Sequence, residues 1–278
     1  MTIRYEPFDT SEARLIDALF RGDGDAAVAE FGGTPILDAN IAGRIEGDSA
    51  LRELAERWHR IFNLDQPGPI SFRAVSASGN LSMTEVQVLV PTPEGSAVLP
   101  VGIVGVYRDE DRSAGTLERA HVYFYEKVLN GSADVRPPSY DTSGDDVPIS
   151  ADQLNGINAA YYDAVTRLDL EGVLATFAPD ATIEVGTSVI PPDQVRRLYE
   201  QFIGDEVVLY FSSQIHEPRS FTVEWTSGHL EPAASGMGIY LFDDEGRIKS
   251  IRMYDHFDPA TVEGLRLEPI RMGDPNDD

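Results

Sequence analysis

The sequence predicts an α+β fold built twice in tandem, each copy with helices packed on a curved antiparallel β-sheet. Three observations predict it. First, Ala18–Phe31 and Ala164–Phe177 align without a gap, and Asp17/Asp163, Arg21/Arg167, Asp23/Asp169, Ala29/Ala175 and Phe31/Phe177 are identical. Second, helical periodicity opens both copies, and strand-rich stretches broken by turn formers end them. Third, each copy closes on a strand that follows a glycine turn: Leu117–Glu126 after Gly115, and Ile248–Phe257 after Gly246. A repeat at this spacing argues for two small folds, not one large one.

The bulk properties fit this reading. A length of 278 residues suits two ordinary domains, and 42% hydrophobic content is globular. The net charge of -25 excludes nucleic acids and anionic membrane surfaces as partners, because such a surface repels phosphate. With no cysteine, disulfides, thiolate nucleophiles and cysteine metal sites are excluded. The start, Met1 to Asp9, has no apolar h-region, and no run approaches the ~20 residues of a membrane helix. Val98–Tyr107 comes nearest, and Pro100, Gly102 and Gly105 make it a strand. A cytoplasmic protein is the expectation.

In chain order, the first domain is placed at residues 8–130. Its opening helix leads into a short second one, where Asp23 is expected to accept orphan N–H groups at the helix start. A strand at Pro35–Asp38 and a helix at Ser49–Phe62, with Trp58, follow. Residues 131–149 read as a linker, with Pro137-Pro138-Ser139 and Ser143-Gly-Asp-Asp and no apolar period. The second domain, residues 150–262, opens on Ile157, Tyr161, Ala164, Val165 and Leu168 along one helix face. Asp169 caps a second short helix running to Phe177, which Pro179 breaks. A strand at Ala181–Val185 and a helix at Pro192–Ile203 precede strands at Val207–His216, Ser220–Ser227 and Met237–Phe242. Residues 263–278 are read as a flexible tail.

The closing strand of the second domain holds the chemistry. Alternation puts Ile251, Met253, Asp255 and Phe257 on one face, and Arg252, Tyr254 and His256 on the other. The second set reads as a solvated or partner-facing surface. The first is a buried face containing a carboxylate, which must be compensated by a neighbouring Tyr or backbone amide, or else used. No phosphate loop, dinucleotide fingerprint, Gly-x-Ser-x-Gly or His-Glu-x-x-His is present. The acids of Asp109-Glu-Asp111 and Asp243-Asp-Glu245 read as solvated hairpin turns, and no metal or cofactor is expected.

Tyr254-Asp255-His256-Phe257-Asp258-Pro259 after Gly-Arg-Ile resembles the last strand of the SnoaL-like group, in the nuclear-transport-factor-two-like superfamily. That resemblance implies a cone-shaped α+β fold and, at Asp255, a catalytic acid/base carboxylate. Epoxide-hydrolase relatives add an Arg-x-Asp in an earlier strand. Trp225-Thr226-Ser227 stands there, so the pattern is closer to the polyketide cyclases. Tyr162, Glu184, His216, Trp225, Met253 and Phe257 are the expected substrate-binding residues, with Gln214 and His229 as further polar candidates. In the first domain Phe124 falls opposite Asp255, so that copy is expected to be non-catalytic, with a smaller and drier cavity. The implied function is a cofactor-independent cyclase or isomerase acting on a hydrophobic, polyketide-like small molecule. The alternative is a non-catalytic binding or scaffold protein. Superfamily members pair through their sheets, which implies an intramolecular pseudo-dimer or a homodimer.

Overall fold

A computed structural model of the chain describes residues 10–39, 42–62, 70–92, 95–110, 112–113, 115–125, 154, 156–227, 235–255 and 257–270. The chain divides into two compact units, one within residues 1–132 and the other within 133–270. The expected linker at 131–149 lies outside the described residues. Among the described residues, no helix is long and apolar enough to cross a membrane.

In the first unit, α1 (Ser11–Arg21) starts at Thr10, whose side chain accepts from the Ala13 amide. It ends at Gly22, in the left-handed region at φ 75°. Helix α2 (Gly24–Ala29) is capped as expected: the Asp23 carboxylate accepts the Ala26 N–H at 3.0 Å. Two short strands, β1 (Ile36–Ala39) and β2 (Gly43–Glu46), precede α3 (Asp48–Phe62). A meander of long strands follows: β3 (Ile70–Ser78), β4 (Leu81–Thr92), β5 (Gly95–Tyr107) and β6 (Leu117–Phe124). The six-stranded sheet has the order β2-β1-β6-β5-β4-β3, with β1 and β6 parallel and every other pair antiparallel. Leu15, Leu19, Leu51, Leu54 and Trp58 of the helices pack on Val86, Val88, Ile103, Val122 and Phe124 of the sheet. Trp58 lies between Phe20 and Phe124, at ring distances of 5.8 and 5.6 Å.

The second unit repeats this order: α4 (Gly156–Thr166), α5 (Leu170–Leu174), β7 (Phe177–Val185), β8 (Ser188–Ile190), a three-ten turn at Pro192–Gln194 and α6 (Val195–Gly204). The strands β9 (Leu209–Glu217), β10 (Ser220–Ser227), β11 (Ser235–Phe242) and β12 (Ile248–Tyr254) complete it. Asp169 caps α5 through the Gly172 amide at 2.9 Å, just as Asp23 caps α2. The sheet order β8-β7-β12-β11-β10-β9 matches the first unit strand for strand, and β13 (Glu268–Pro269) is added at the edge. The repeat extends to the register. The Leu117 amide bonds the Glu30 carbonyl, and the Ile248 amide bonds the Thr176 carbonyl, each where a parallel contact to Phe31 or Phe177 begins.

Four sequence expectations change. Phe177 starts a strand instead of ending a helix, and Pro179 lies where the β7–β12 register jumps from Phe177 to Thr182, so its missing N–H leaves no ladder bond unmade. Residues 263–270 are folded: β13 pairs with β8 and Ile270 is buried, because the chain returns to cover the sheet edge. The strand β12 stops at Tyr254, one residue short of Asp255. Tyr254 is also buried, as are Thr222, Glu224, Met237 and Ile239 on the same outward face, so of the two readings of that face, solvated or partner-facing, the solvated one does not hold along its middle.

The first unit also holds a carboxylate that periodicity does not reveal. Glu12 is fully buried, and the Tyr107 hydroxyl donates to its Oε2. The Thr84 hydroxyl stands 3.5 Å from its Oε1. Gly105 makes room: a Cβ there would stand 2.7 Å from Glu12 Cγ and 3.0 Å from the Tyr107 ring. Gly105→Ala is therefore expected to destabilise the protein by about 1–3 kcal/mol through overpacking, read as a lower midpoint in urea unfolding.

Candidate active site

Asp255 is the first residue past β12, and its own side chain helps end the strand. Oδ1 accepts the Phe257 N–H at 2.9 Å, a local turn of the kind Asp favours. Pairing fixes its neighbours. Met237 opposes Tyr254 across β11 and β12, so Gly236 comes beside Asp255, while Trp225 on β10 opposes Gly236 and Phe211 on β9 opposes Trp225. A Cβ on Gly236 would stand 2.6 Å from Trp225 Cε2 and 3.0 Å from Asp255 Cβ. The glycine thus lets the indole lie across β11 and reach the aspartate.

The carboxyl group is 2% exposed, and Phe257 N–H is its one hydrogen-bond donor among the described residues. Burial raises its pKa to about 6, and the backbone hydrogen bond lowers it by less.

The expected binding residues divide by position. Tyr162 on α4 stacks on Phe211 at 4.8 Å, which continues the row Asp255–Gly236–Trp225–Phe211 into the helical layer. Burial, then the nearby Tyr210, raises the pKa of its phenol. Met253 is half-buried and opposes Gly238 and Val185 on the same face. Phe257 is half-buried, with its ring edge-on to Phe202 at 4.9 Å. Two residues do not join this group. Glu184 opposes Arg252 on the far face of the sheet, because Ile183 and Val185 on either side of it face the core. His216 opposes Phe221, in the row of Tyr240 and Ile251, four residues from Asp255 along the strand direction, or about 13 Å. It is held there by Asn158 and Gln214, and burial lowers its pKa. His229 and His256 lie outside the described residues.

In the first unit, the shared register puts Phe124 at the place of Asp255, and Phe124 fills the core against Trp58. A groove of about 420 Å³ in that unit is lined by Arg21, Asp23, Asp25, Arg52 and Glu56. Its arginines are ion-paired with Asp17, Asp25 and Asp48, so it presents no free cation.

Sequence reasoning missed one set of core residues. Tyr161 on α4, Tyr199 on α6 and Tyr240 on β11 pack together in the core of the second unit. The Tyr161 and Tyr199 hydroxyl oxygens are hydrogen-bonded, 2.7 Å apart. Their rings pack edge-on, at 6.3 Å for Tyr161–Tyr199 and 5.2 Å for Tyr161–Tyr240. Tyr161 alone was visible, as part of an apolar helix face. A ring's partners on two other elements leave no periodic trace.

A bulged, helix-backed sheet with one buried acid at the end of its closing strand defines a class of α+β domains. Residues 159–258, within the second unit, match the family model described as "SnoaL-like domain". Similar solved structures include the epoxide hydrolase/cyclase-like enzyme SalBIII, described for pyran ring formation in the polyether salinomycin. It is 22% identical, spans 36% of this chain and 87% of its own, and has a TM-score of 0.33. A SnoaL-like protein of unknown function from Burkholderia thailandensis is 11% identical over 39% of this chain and 98% of its own, with a TM-score of 0.33. RV0760c from Mycobacterium tuberculosis, solved with estradiol-17beta-hemisuccinate, is 16% identical over 37% and 92%, with a TM-score of 0.31. No curated protein matches the chain.

The buried acid has a measurable signature. An unfolded carboxyl titrates near pH 4, whereas Asp255 in the folded chain holds its proton to about 6. The native state therefore binds more protons in that window, and Asp255 makes stability fall as pH rises from about 4 to about 6, with no further loss above it. Asp255→Asn removes this loss. The variant should gain on the wild type across that window, by at most about 3 kcal/mol, and keep a constant advantage at higher pH. Parallel denaturation midpoints from pH 4 to 8 check this, and a constant difference at every pH would contradict the shift.

Proposed function

We propose that the second unit binds an apolar small molecule against its inner sheet face and that Asp255 moves a proton to and from it without a cofactor. The supporting observation is the state of Asp255: a buried carboxyl with a single local hydrogen bond, beside the Trp225 indole across Gly236, whose pKa burial raises to about 6. A group with its pKa near the working pH serves as both base and acid. In the base step the carboxylate takes a proton from carbon next to a carbonyl, leaving an enolate and a neutral carboxylic acid. In the acid step the same proton returns to a different atom of the substrate, a net isomerisation, or the enolate carbon first bonds a second carbonyl carbon and the proton goes to the resulting alkoxide, a net ring closure.

The surroundings favour an uncharged substrate. Trp225, Met253, Phe257, Phe202 and Phe211 supply apolar surface, and no cation stands by Asp255 among the described residues to pair with an anionic ligand. The SnoaL-like match over residues 159–258 supports the same reading. The first unit would then be a folded partner, since Phe124 has no proton to move. A non-catalytic binding role is the competing reading.

Proton exchange separates the two readings. In D₂O, wild-type protein should accelerate loss of the α-hydrogen signals of 2-tetralone in proton NMR, and Asp255→Asn should lower that rate by about 10²–10⁴-fold with its fold retained. Equal rates for wild type, a folded Asp255→Asn variant and buffer would remove the acid/base role and leave binding alone.

A further inference from the structure

The two copies fill the same corner of the sheet with different side chains. In the first unit Phe124 ends β6, and pairing sets Val101 of β5 and then Val86 of β4 beside it. Trp58 closes that corner from the helix side, edge-on to Phe124 at 5.6 Å. In the second unit the same three strand positions hold Asp255, Gly236 and Trp225. On the helix, Phe202 stands where Trp58 does, since Leu51, Leu54 and Trp58 recur in spacing as Val195, Leu198 and Phe202. The Phe202 ring meets Phe257, two residues past Asp255, at 4.9 Å. The bulk that Phe124 and Trp58 supply in the first unit is thus absent at Asp255. A close-packed interior needs a substitute for it.

Trp225 is that substitute. A Cβ on Gly236 would stand 2.3 Å from Trp225 Cζ2 and 3.0 Å from Asp255 Cβ, so the indole and the aspartate meet over the glycine. The indole is buried, and so is Phe211 beyond it, which closes this side of Asp255. Met253, Phe257 and Phe202 are only half-buried, so the other side is the more open one. A desolvated carboxyl holds its proton more tightly, and the indole is a large apolar group set against it. Among the described residues no charged side chain contributes: burial and the Phe257 N–H account for the raised pKa of Asp255. Glu184, Glu224 and Arg252 belong to the far face, and Asp258 caps the turn at Ala260. On α6, Arg196 pairs with Glu171, and Arg197 bonds the Glu263 carbonyl. The Tyr162 phenol, stacked on Phe211, and His216, further along the sheet, are uncharged at neutral pH.

We propose that Trp225, laid over Gly236, is the positioning residue of Asp255: it keeps water from the carboxyl group on the β10 side and leaves it facing a ligand that enters past Met253 and Phe257. This rests on the acid/base reading of Asp255 and adds the direction from which the ligand approaches. Oδ1 accepts the Phe257 N–H, so Oδ2 is the oxygen that takes and returns the proton. Trp225 acts through that carboxyl group, which a smaller side chain would leave open to water on both sides.

The test follows the titration of the Asp255 carboxyl carbon by NMR in the full chain, assigned as the resonance missing from Asp255→Asn. Its midpoint should lie at about 6 in the wild type and fall by about one unit or more in Trp225→Leu, which admits water. Trp225→Phe, still aromatic, should keep most of the elevation. Gly236→Ala, whose methyl group displaces the indole, should lower the midpoint with Trp225 still present. The double variant of Trp225→Leu and Gly236→Ala should add no further shift, because both changes remove one contact. The exchange rate of 2-tetralone should move its acid limb in parallel and reach a lower plateau, since a weaker base abstracts more slowly. Trp58→Phe, a matching loss in the first unit's core, should lower the melting temperature and leave the midpoint in place. An unmoved midpoint in folded Trp225→Leu overturns the proposal and leaves the role of Asp255 intact, and Gly236→Ala decides if Trp225→Leu does not fold. An equal shift in Trp58→Phe overturns it as well. Exchange no faster than buffer in the wild type removes the acid/base reading and the positioning role together, whatever the midpoint does.

Discussion

The parallel pairing of β7 with β12 is the contact on which the second unit depends. It joins Phe177 to Ile248 and Val185 to Met253, more than sixty residues apart in sequence. A parallel pair needs a long crossover, and here helix α6 and the four antiparallel strands β8, β9, β10 and β11 intervene. The pairing lifts the last long strand off the sheet edge and sets it between β7 and β11, with Ile251 in the core on one face and Tyr254 buried on the other. A carboxylate at the end of such a strand is desolvated by position. The same pairing of β1 with β6 does this for Phe124 in the first unit.

Within one framework the two units divide their interiors differently, and glycines on the third strand from the edge determine how. In the second unit, Gly236 admits the Trp225 indole beside Asp255, and Gly238 admits the Tyr240 ring. In the first, Gly105 admits Glu12 from α1. Carried back along the helix, the repeat puts Asn158 at the place of Glu12, and Asn158 reaches His216 instead of a buried tyrosine. One sheet topology thus holds an acid at the strand end in one copy and at the helix start in the other. Close packing forces this exchange, because each large side chain needs a neighbour without one.

Much of this was legible in the residues. The gapless match through Arg21/Arg167 and Phe31/Phe177 carried the domain repeat. Asp23 and Asp169 cap their helices because a cap depends on neighbours three residues away. The alternation Ile251, Met253, Asp255 marked the buried face correctly, since a strand's period is a local property. Errors arose wherever the deciding contact was remote. Pro179 is a helix breaker in isolation, but β12 pairs around it as a bulge. Glu184 and His216 share a domain with Asp255, but register sends one to the other face and the other to the far end of the sheet.

The sequence by itself determined the elements, their caps, the repeat and the one acid on an apolar face, because these follow from spacings of two to four residues. Only the tertiary structure decided that Trp225 reaches Asp255 across Gly236, that Tyr254 is buried, and that Tyr161, Tyr199 and Tyr240 pack together. Those facts depend on strand register and on helices laid over the sheet. Register is set by the summed packing of the whole unit, so no single stretch of residues carries it.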